Sequence, residues 1–212
     1  MLNRDANMKM PSHSEKFLEG VKAVASAIPP AALEEMAGKI AAIRERGGRL
    51  FFLGVGGSAA AASHAVNDFR KIAAIESYAP TDNVSELTAR INDSGWESVF
   101  SEWLKVSRLT ARDGVFVLSV GGGDEKRGVS VNLVEAVKFA RSVGAAVLAI
   151  VGRAEGYAAR DADACVVVPV PDEAAITPFA ESFQSVLLHL LVTHPLLKRS
   201  EMKWEALQKG KR

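Results

Sequence analysis

The sequence predicts an α/β domain built on a doubly wound, five-stranded parallel sheet flanked by helices, with a helical extension before it. Three observations carry that expectation. Apolar runs recur at residues 50–53, 75–79, 115–119, 146–151 and 164–170, and they are continuous rather than alternating. Continuous Val/Leu/Ile/Ala strands belong to sheets buried on both faces. Helix-spaced segments separate the runs, and strand–helix repetition builds a parallel sheet. Finally, two glycine-rich turns, at 54–58 and 119–123, leave the C-terminal ends of predicted strands. Ligands of such sheets sit beyond the carboxyl ends of the strands, so both turns belong to one edge.

The elements follow in order. Residues 13–28 and 31–46 carry helix-spaced apolar positions: Phe17, Val21 and Val24, then Leu33, Met36, Ile40 and Ile43. Pro29-Pro30 divides them, because proline ends one helix and opens the next. After the first strand a helix is expected over 58–73, then a short strand and helical stretches at 83–91 and 96–109. A third strand leads through the second glycine turn to a helix over 130–143. Two further strands follow, and a long helix over 178–194 closes the pattern. The expected division is a helical segment at 1–47, a ligand-binding domain at 48–198 and a tail at 199–212. The ends, 1–10 and 199–212, read as loose.

Composition narrows the function. The chain has 212 residues, enough for one well-buried domain with an added segment. Its 26 basic and 25 acidic residues leave a net charge of +1, which argues against a nucleic-acid footprint. The single cysteine, Cys165, excludes an intrachain disulfide and a cysteine-based zinc site, and fits a reducing cytosol. Residues 1–16 show no apolar signal region, and the apolar stretch at 185–197 is too short and interrupted to span a bilayer. A cytoplasmic protein with no membrane partner is expected.

The first turn reads Gly54-Val55-Gly56-Gly57-Ser58. A strand entering a glycine turn that opens a helix at a hydroxyl residue offers free N–H groups, a positive dipole end and a side-chain donor. That is a seat for an anion, usually a phosphate. His64 and Asp68 stand four apart on the following helix and share one face. Alone, such a turn is also an ordinary tight connection, and the pair an ordinary helix pair. Asp68 has Arg70 and Lys71 as rival partners.

Taken together these motifs resemble the sugar isomerase (SIS) family, and its phosphoheptose isomerase branch in particular. That branch reads G-N-G-G-S, then His and Glu four apart, then S-T-S-G-N-S opening another helix. It ends on a helix bearing Gln-Glu and a His eight residues beyond the Gln. Here the matches are residues 54–58, His64 and Asp68, Asn92-Asp93 with Gly95 and Phe100, and Glu181 with His189. The resemblance covers about residues 45–195.

The departures are specific. Val55 replaces Asn, Asp68 shortens the carboxylate arm, and Glu181 replaces Gln. The second loop is rebuilt as an insertion between Ser119 and Ser130 that contains Lys126 and Arg127. These two cations either supply charge to a ligand or form a solvated basic turn. Glu181 also suits the first turn of its helix on dipole grounds alone, and His189 in an apolar run also reads as a core residue.

The resemblance implies an aldose–ketose isomerase that converts sedoheptulose 7-phosphate through an enediol(ate). Asp68 is expected as the base and His189 as the acid. Gly56, Gly57, Ser58, Asp93, Ser119, Gly121, Gly122 and Ser130 are expected to hold the substrate. His64, Asp68, Glu181 and His189 form an N/O set for zinc or a similar ion. On a regular helix Glu181 and His189 lie about 12 Å apart, too far to meet at one ion. Either the helix starts irregularly or one ligand comes from another subunit. The resemblance implies a homotetramer with interfacial sites. The alternatives are a phosphosugar-binding or protein-partner module without catalysis, and an isomerase of another phosphosugar.

Overall fold

The computed structural model describes residues 10–209. Five parallel strands form one sheet: β1 (Leu50–Leu53), β2 (Ser77–Tyr78), β3 (Gly114–Ser119), β4 (Ala146–Val151) and β5 (Ala164–Val167). Their order is β2-β1-β3-β4-β5, and every neighbouring pair is parallel. Strand order therefore reverses between β1 and β3, which is where ligands of doubly wound sheets bind.

Helices cover both faces. On one face α2 (Pro30–Glu45), α3 (Gly57–Lys71) and α8 (Ile176–Thr193) bury Met36, Ile40, Phe69, Phe183 and Leu191 against Phe52, Phe116 and Leu148. On the other, α5 (Val99–Val106), α6 (Val131–Ser142) and α7 (Tyr157–Asp161) pack on Phe51, Val117 and Ala149. Adjacent strand residues thus serve opposite cores, which explains the unbroken apolar runs. α1 (His13–Ala27) joins through Val24 and a stack of Phe17 on Phe179, and α4 (Val84–Ser94) packs on α5. Cys165 is half-buried against the second core, and burial pushes its thiol up to about 11.

Several boundaries move. The second strand shrinks to two residues, and the fifth ends at Val167, ahead of Pro169 and Pro171. The tail expected to be loose forms α9 (Lys203–Lys209); residues 1–9 and 210–212 lie outside the described part. The five-residue α7 is too short to show a helical period in the sequence. The segment Glu173–Thr193 is long and apolar enough to cross a membrane by length and composition, unlike the shorter stretch considered from sequence. Its composition has another source here: Phe179, Phe183, Leu187, Leu188 and Leu191 all face the core.

Two polar clamps fix the end of the sheet opposite the glycine turns. Asp113 accepts from the Arg49 backbone N–H at 2.9 Å, the Arg49 guanidinium at 3.0 and 3.2 Å, and the Thr110 N–H and hydroxyl, each at 2.9 Å. It thereby holds the start of β1 beside that of β3. Arg44 of α2 donates to the carbonyls of Leu196 and Leu197 at 2.7 Å and of Ala73 at 3.2 Å. That guanidinium ties the first half of the chain to the end of α8.

Burial alone would raise the Asp113 pKa, but the Arg49 and Thr110 donors outweigh it and hold the carboxyl below the usual carboxylate range. A depressed folded value stabilises the fold above the unfolded pKa, and that contribution is lost as pH falls through the folded one. Asp113→Asn is expected to cost on the order of 3 kcal/mol at neutral pH, since it leaves Arg49 without its partner. Urea unfolding from neutral to acid pH should show the gap to wild type narrowing as pH falls; a gap that does not change with pH would contradict this role.

Candidate active site

The first glycine turn is built by close approach. A Cβ on Gly54 would lie 2.4 Å from the Ser58 carbonyl oxygen, so the strand can turn directly onto the helix only with glycine there. Gly56 has φ +62°, and Ala59 and Ala60 donate back to its carbonyl. The N–H groups of Gly57 and Ser58 precede the first intrahelical bond, and no side chain caps the helix. Ser58 is buried, and its hydroxyl has no hydrogen-bond partner among the described residues. Glu181 of α8 rests on this turn: a Cβ on Gly57 would fall 2.5 Å from its carboxylate. The negative charge complements the start of α3.

Two turns further along, α3 and α8 meet again. The His64 and His189 Nε2 atoms lie 3.1 Å apart, and Asp68 Oδ2 is 3.2 Å from the first and 3.4 Å from the second. Gly57 faces Glu181, and His64 faces His189, so the two helices run parallel, side by side. Asp68 turns to the histidines rather than to Arg70, which donates to the Ser77 carbonyl. Both imidazoles are 54% exposed while the carboxylate is 14% exposed.

The three atoms could hold a divalent ion. Tetrahedral ligands at about 2.0–2.1 Å from zinc stand about 3.3–3.4 Å from one another, close to the observed edges. Three protein ligands with a fourth position open is the pattern of catalytic sites. Glu181 is outside this group. The helix is regular over Ile176–Thr193, so an irregular start does not bring Glu181 to His189 within one chain. Its carboxylate belongs to the glycine turn instead.

The second loop leaves β3 at Ser119, whose buried Oγ accepts from Gly122 N–H at 3.0 Å. Gly122 and Gly123 have φ +73° and +86°. Their carbonyls accept from Ala158 and Tyr157 at 2.9 Å, which pins the loop to α7. Asp124 and Val129 then pair to close a small hairpin over the insertion. Ser130, with φ +50°, is the N-cap of α6 and makes no side-chain cap bond. Ser58 and Ser119 thus stand at the carboxyl ends of neighbouring strands, and Gly56, Gly57, Gly121, Gly122 and Ser130 lie on the same edge. Asp93 differs: it is exposed on α4, with the Asn92 amide as its partner.

The sequence model of the SIS domain matches residues 16–152. The chain belongs to the SIS domain family. Within the family it falls in the phosphoheptose isomerase branch. It is similar to the phosphoheptose isomerase of Rhodospirillum rubrum, with 32% identity over 165 residues that cover 76% of this chain and 82% of that one. Among solved structures it resembles phosphoheptose isomerase GmhA from Neisseria gonorrhoeae, with a TM-score of 0.72 at 27% identity over 84% of this chain and 94% of that chain. The phosphoheptose isomerase of Francisella tularensis shares the fold, with a TM-score of 0.70 at 23% identity over 84% of this chain and 91% of that chain.

Sequence reasoning missed Arg153, which flanks the second loop from the turn after β4. The available signal was Gly152 and Gly156, two glycines bracketing a third turn at the ligand-bearing edge of this SIS domain. A pair of substitutions tests the first turn. Gly54→Ala sets its methyl against backbone and is expected to cost about 1–3 kcal/mol in chemical denaturation. Gly57→Ala meets only the movable Glu181 carboxylate and should cost clearly less; equal costs would contradict the described packing.

Proposed function

We propose that this chain is an aldose–ketose isomerase that converts sedoheptulose 7-phosphate to the aldose heptose 7-phosphate. The observation that supports this most is the convergence of His64, Asp68 and His189 beside the glycine turns of an SIS domain. The named relatives are phosphoheptose isomerases, which agrees with that reading. The site is assigned to residues 48–198, with 1–47 as the helical segment and 199–212 as the tail.

The reaction moves one proton between adjacent carbons. Asp68 removes a proton from C1, next to the ketose carbonyl at C2, and the C–H electron pair becomes the double bond of the enediol(ate). His189 gives a proton to the C2 oxygen and takes one back from the C1 hydroxyl as the aldehyde forms. Asp68 returns the proton to C2, so atoms and charge balance. Positioned acid and base groups contribute about two to four orders of magnitude. Ser58, Ser119, Ser130 and the loop amides hold the phosphorylated substrate, with Asp93 assigned to it from the family motif.

The donors fit zinc, held by His64, Asp68 and His189, which when bound polarises the substrate's oxygens. Glu181 joins such a set only if another subunit brings it within reach. The half-exposed histidines suit a homotetramer in which a neighbour covers them. The reading places the protein in the cytoplasm, without nucleic-acid or membrane partners. A second reading, a phosphosugar-binding or protein-partner module, is favoured by the shorter carboxylate at Asp68 and the rebuilt second loop. Measured turnover of sedoheptulose 7-phosphate decides between them.

Asp68→Asn and His189→Gln are each expected to lower turnover by about two to four orders of magnitude. Metal content by mass spectrometry separates the roles: activity lost with the metal marks a ligand, and activity lost with metal retained marks proton transfer. Wild-type turnover by both folded variants would refute the mechanism. Ser58→Ala should weaken sugar phosphate binding by roughly 1.5–3 kcal/mol in calorimetry. Sedimentation showing only monomer would remove the covered-site arrangement.

A further inference from the structure

Asp68 meets the histidines with one oxygen only. Its Oδ2 stands 3.2 Å from the His64 Nε2 and 3.4 Å from the His189 Nε2, while its Oδ1 accepts from the Asn67 amide at 2.9 Å. An ionised carboxylate has acceptor sites and no donor, so the amide presents its nitrogen. Asp68 is only 14% exposed, and a carboxylate so placed depends on the partners the fold supplies. Among the described residues no lysine or arginine pairs with it, and Asn67 is the side chain that serves its second oxygen.

Three features give this bond a role in the site. Aspartate keeps its carboxylate one carbon nearer the backbone than the glutamate typical of this branch, within reach of the preceding side chain on α3. The donor is neutral, so it fixes one oxygen without the countercharge that a lysine or arginine would set against a bound cation. The imidazoles lack such support: neither the His64 nor the His189 Nδ1 has a partner among the described residues. The same neighbour bond joins Asn92 to Asp93 on α4 at 2.9 Å, but Asp93 is exposed and has no histidine within ion-pair distance among the described residues. Asn67 differs in what the other carboxylate oxygen faces.

We infer that Asn67 is a positioning residue: its amide holds Asp68 Oδ1 and so turns Oδ2 toward His64 and His189, the orientation that an ion ligand and a base both require. Rotation about the Cβ–Cγ bond would otherwise exchange the two oxygens and swing the carboxylate off the histidines. Outer partners of metal-binding side chains fix their orientation, and losing one typically costs about ten- to a hundredfold in metal affinity or activity. This inference deepens the isomerase reading and rests on it for the role of Asp68 as base, but zinc binding can be measured without turnover.

The test is calorimetric titration of the full chain, stripped with a chelator, with zinc chloride. Asn67→Ala is expected to weaken zinc about ten- to a hundredfold and, at saturating zinc, to lower kcat for sedoheptulose 7-phosphate about tenfold with KM unchanged. Asn67→Gln, which keeps an amide, should recover part of both losses, and Asn92→Ala should bind zinc as wild type does. Alanine is the better helix former, so the metal-free Asn67→Ala chain should melt at or above the wild-type temperature. A merely structural asparagine would instead lower the melting temperature and leave zinc affinity alone. Wild-type zinc affinity in folded Asn67→Ala overturns the assignment, as does the absence of zinc binding in wild type. Zinc weakened in Asn67→Ala of a chain that turns over no sugar phosphate keeps the positioning role and removes only the isomerase reading.

Discussion

The site depends on α3 and α8 running parallel and close. α3 presents Ala61, Ala62 and Ala65 inward, and small side chains permit a short distance between helix axes. With that spacing, residues at matching heights on the two helices meet: Glu181 at Gly57, and His189 at His64 and Asp68. The sheet sets the direction. Both helices start at the carboxyl edge of the strands, so the first glycine turn and the titratable cluster become two levels of one surface.

The sequence exposed the local parts of this arrangement and concealed the long-range ones. Continuous apolar strands, the Pro29-Pro30 break and the glycine turns report local backbone chemistry, so the sheet and most helices were legible. His64 and Asp68 share a face by spacing alone. That His189 joins them is a fact of packing between segments 125 residues apart, and only the family pattern hinted at it. Glu181 shows the limit of a spacing match, because eight residues on a straight helix separate it from the cluster it was grouped with. The short tail helix and α7 escaped because neither is long enough to establish a period.

The two glycine loops solve one problem differently. The first brings the backbone of β1 onto the first turn of α3 and exposes amides with a single hydroxyl. The second folds its insertion into a hairpin, anchors it to α7 through the Gly122 and Gly123 carbonyls, and sets Arg127 and Arg153 beside Asp124 and Glu155 around the opening.

Arg44 links this geometry to the order of synthesis. Its guanidinium reaches carbonyls 152 and 153 residues later in the chain. At about 5–20 residues per second, the ribosome supplies those partners roughly eight to thirty seconds after it has made α2. Until then the apolar face of α2 lacks the chain end that locks it, and the first strands lack the covering helix α8. The long-range lock therefore closes last, and a nascent chain interrupted before residue 196 lacks the Leu196 and Leu197 carbonyls that hold the Arg44 guanidinium.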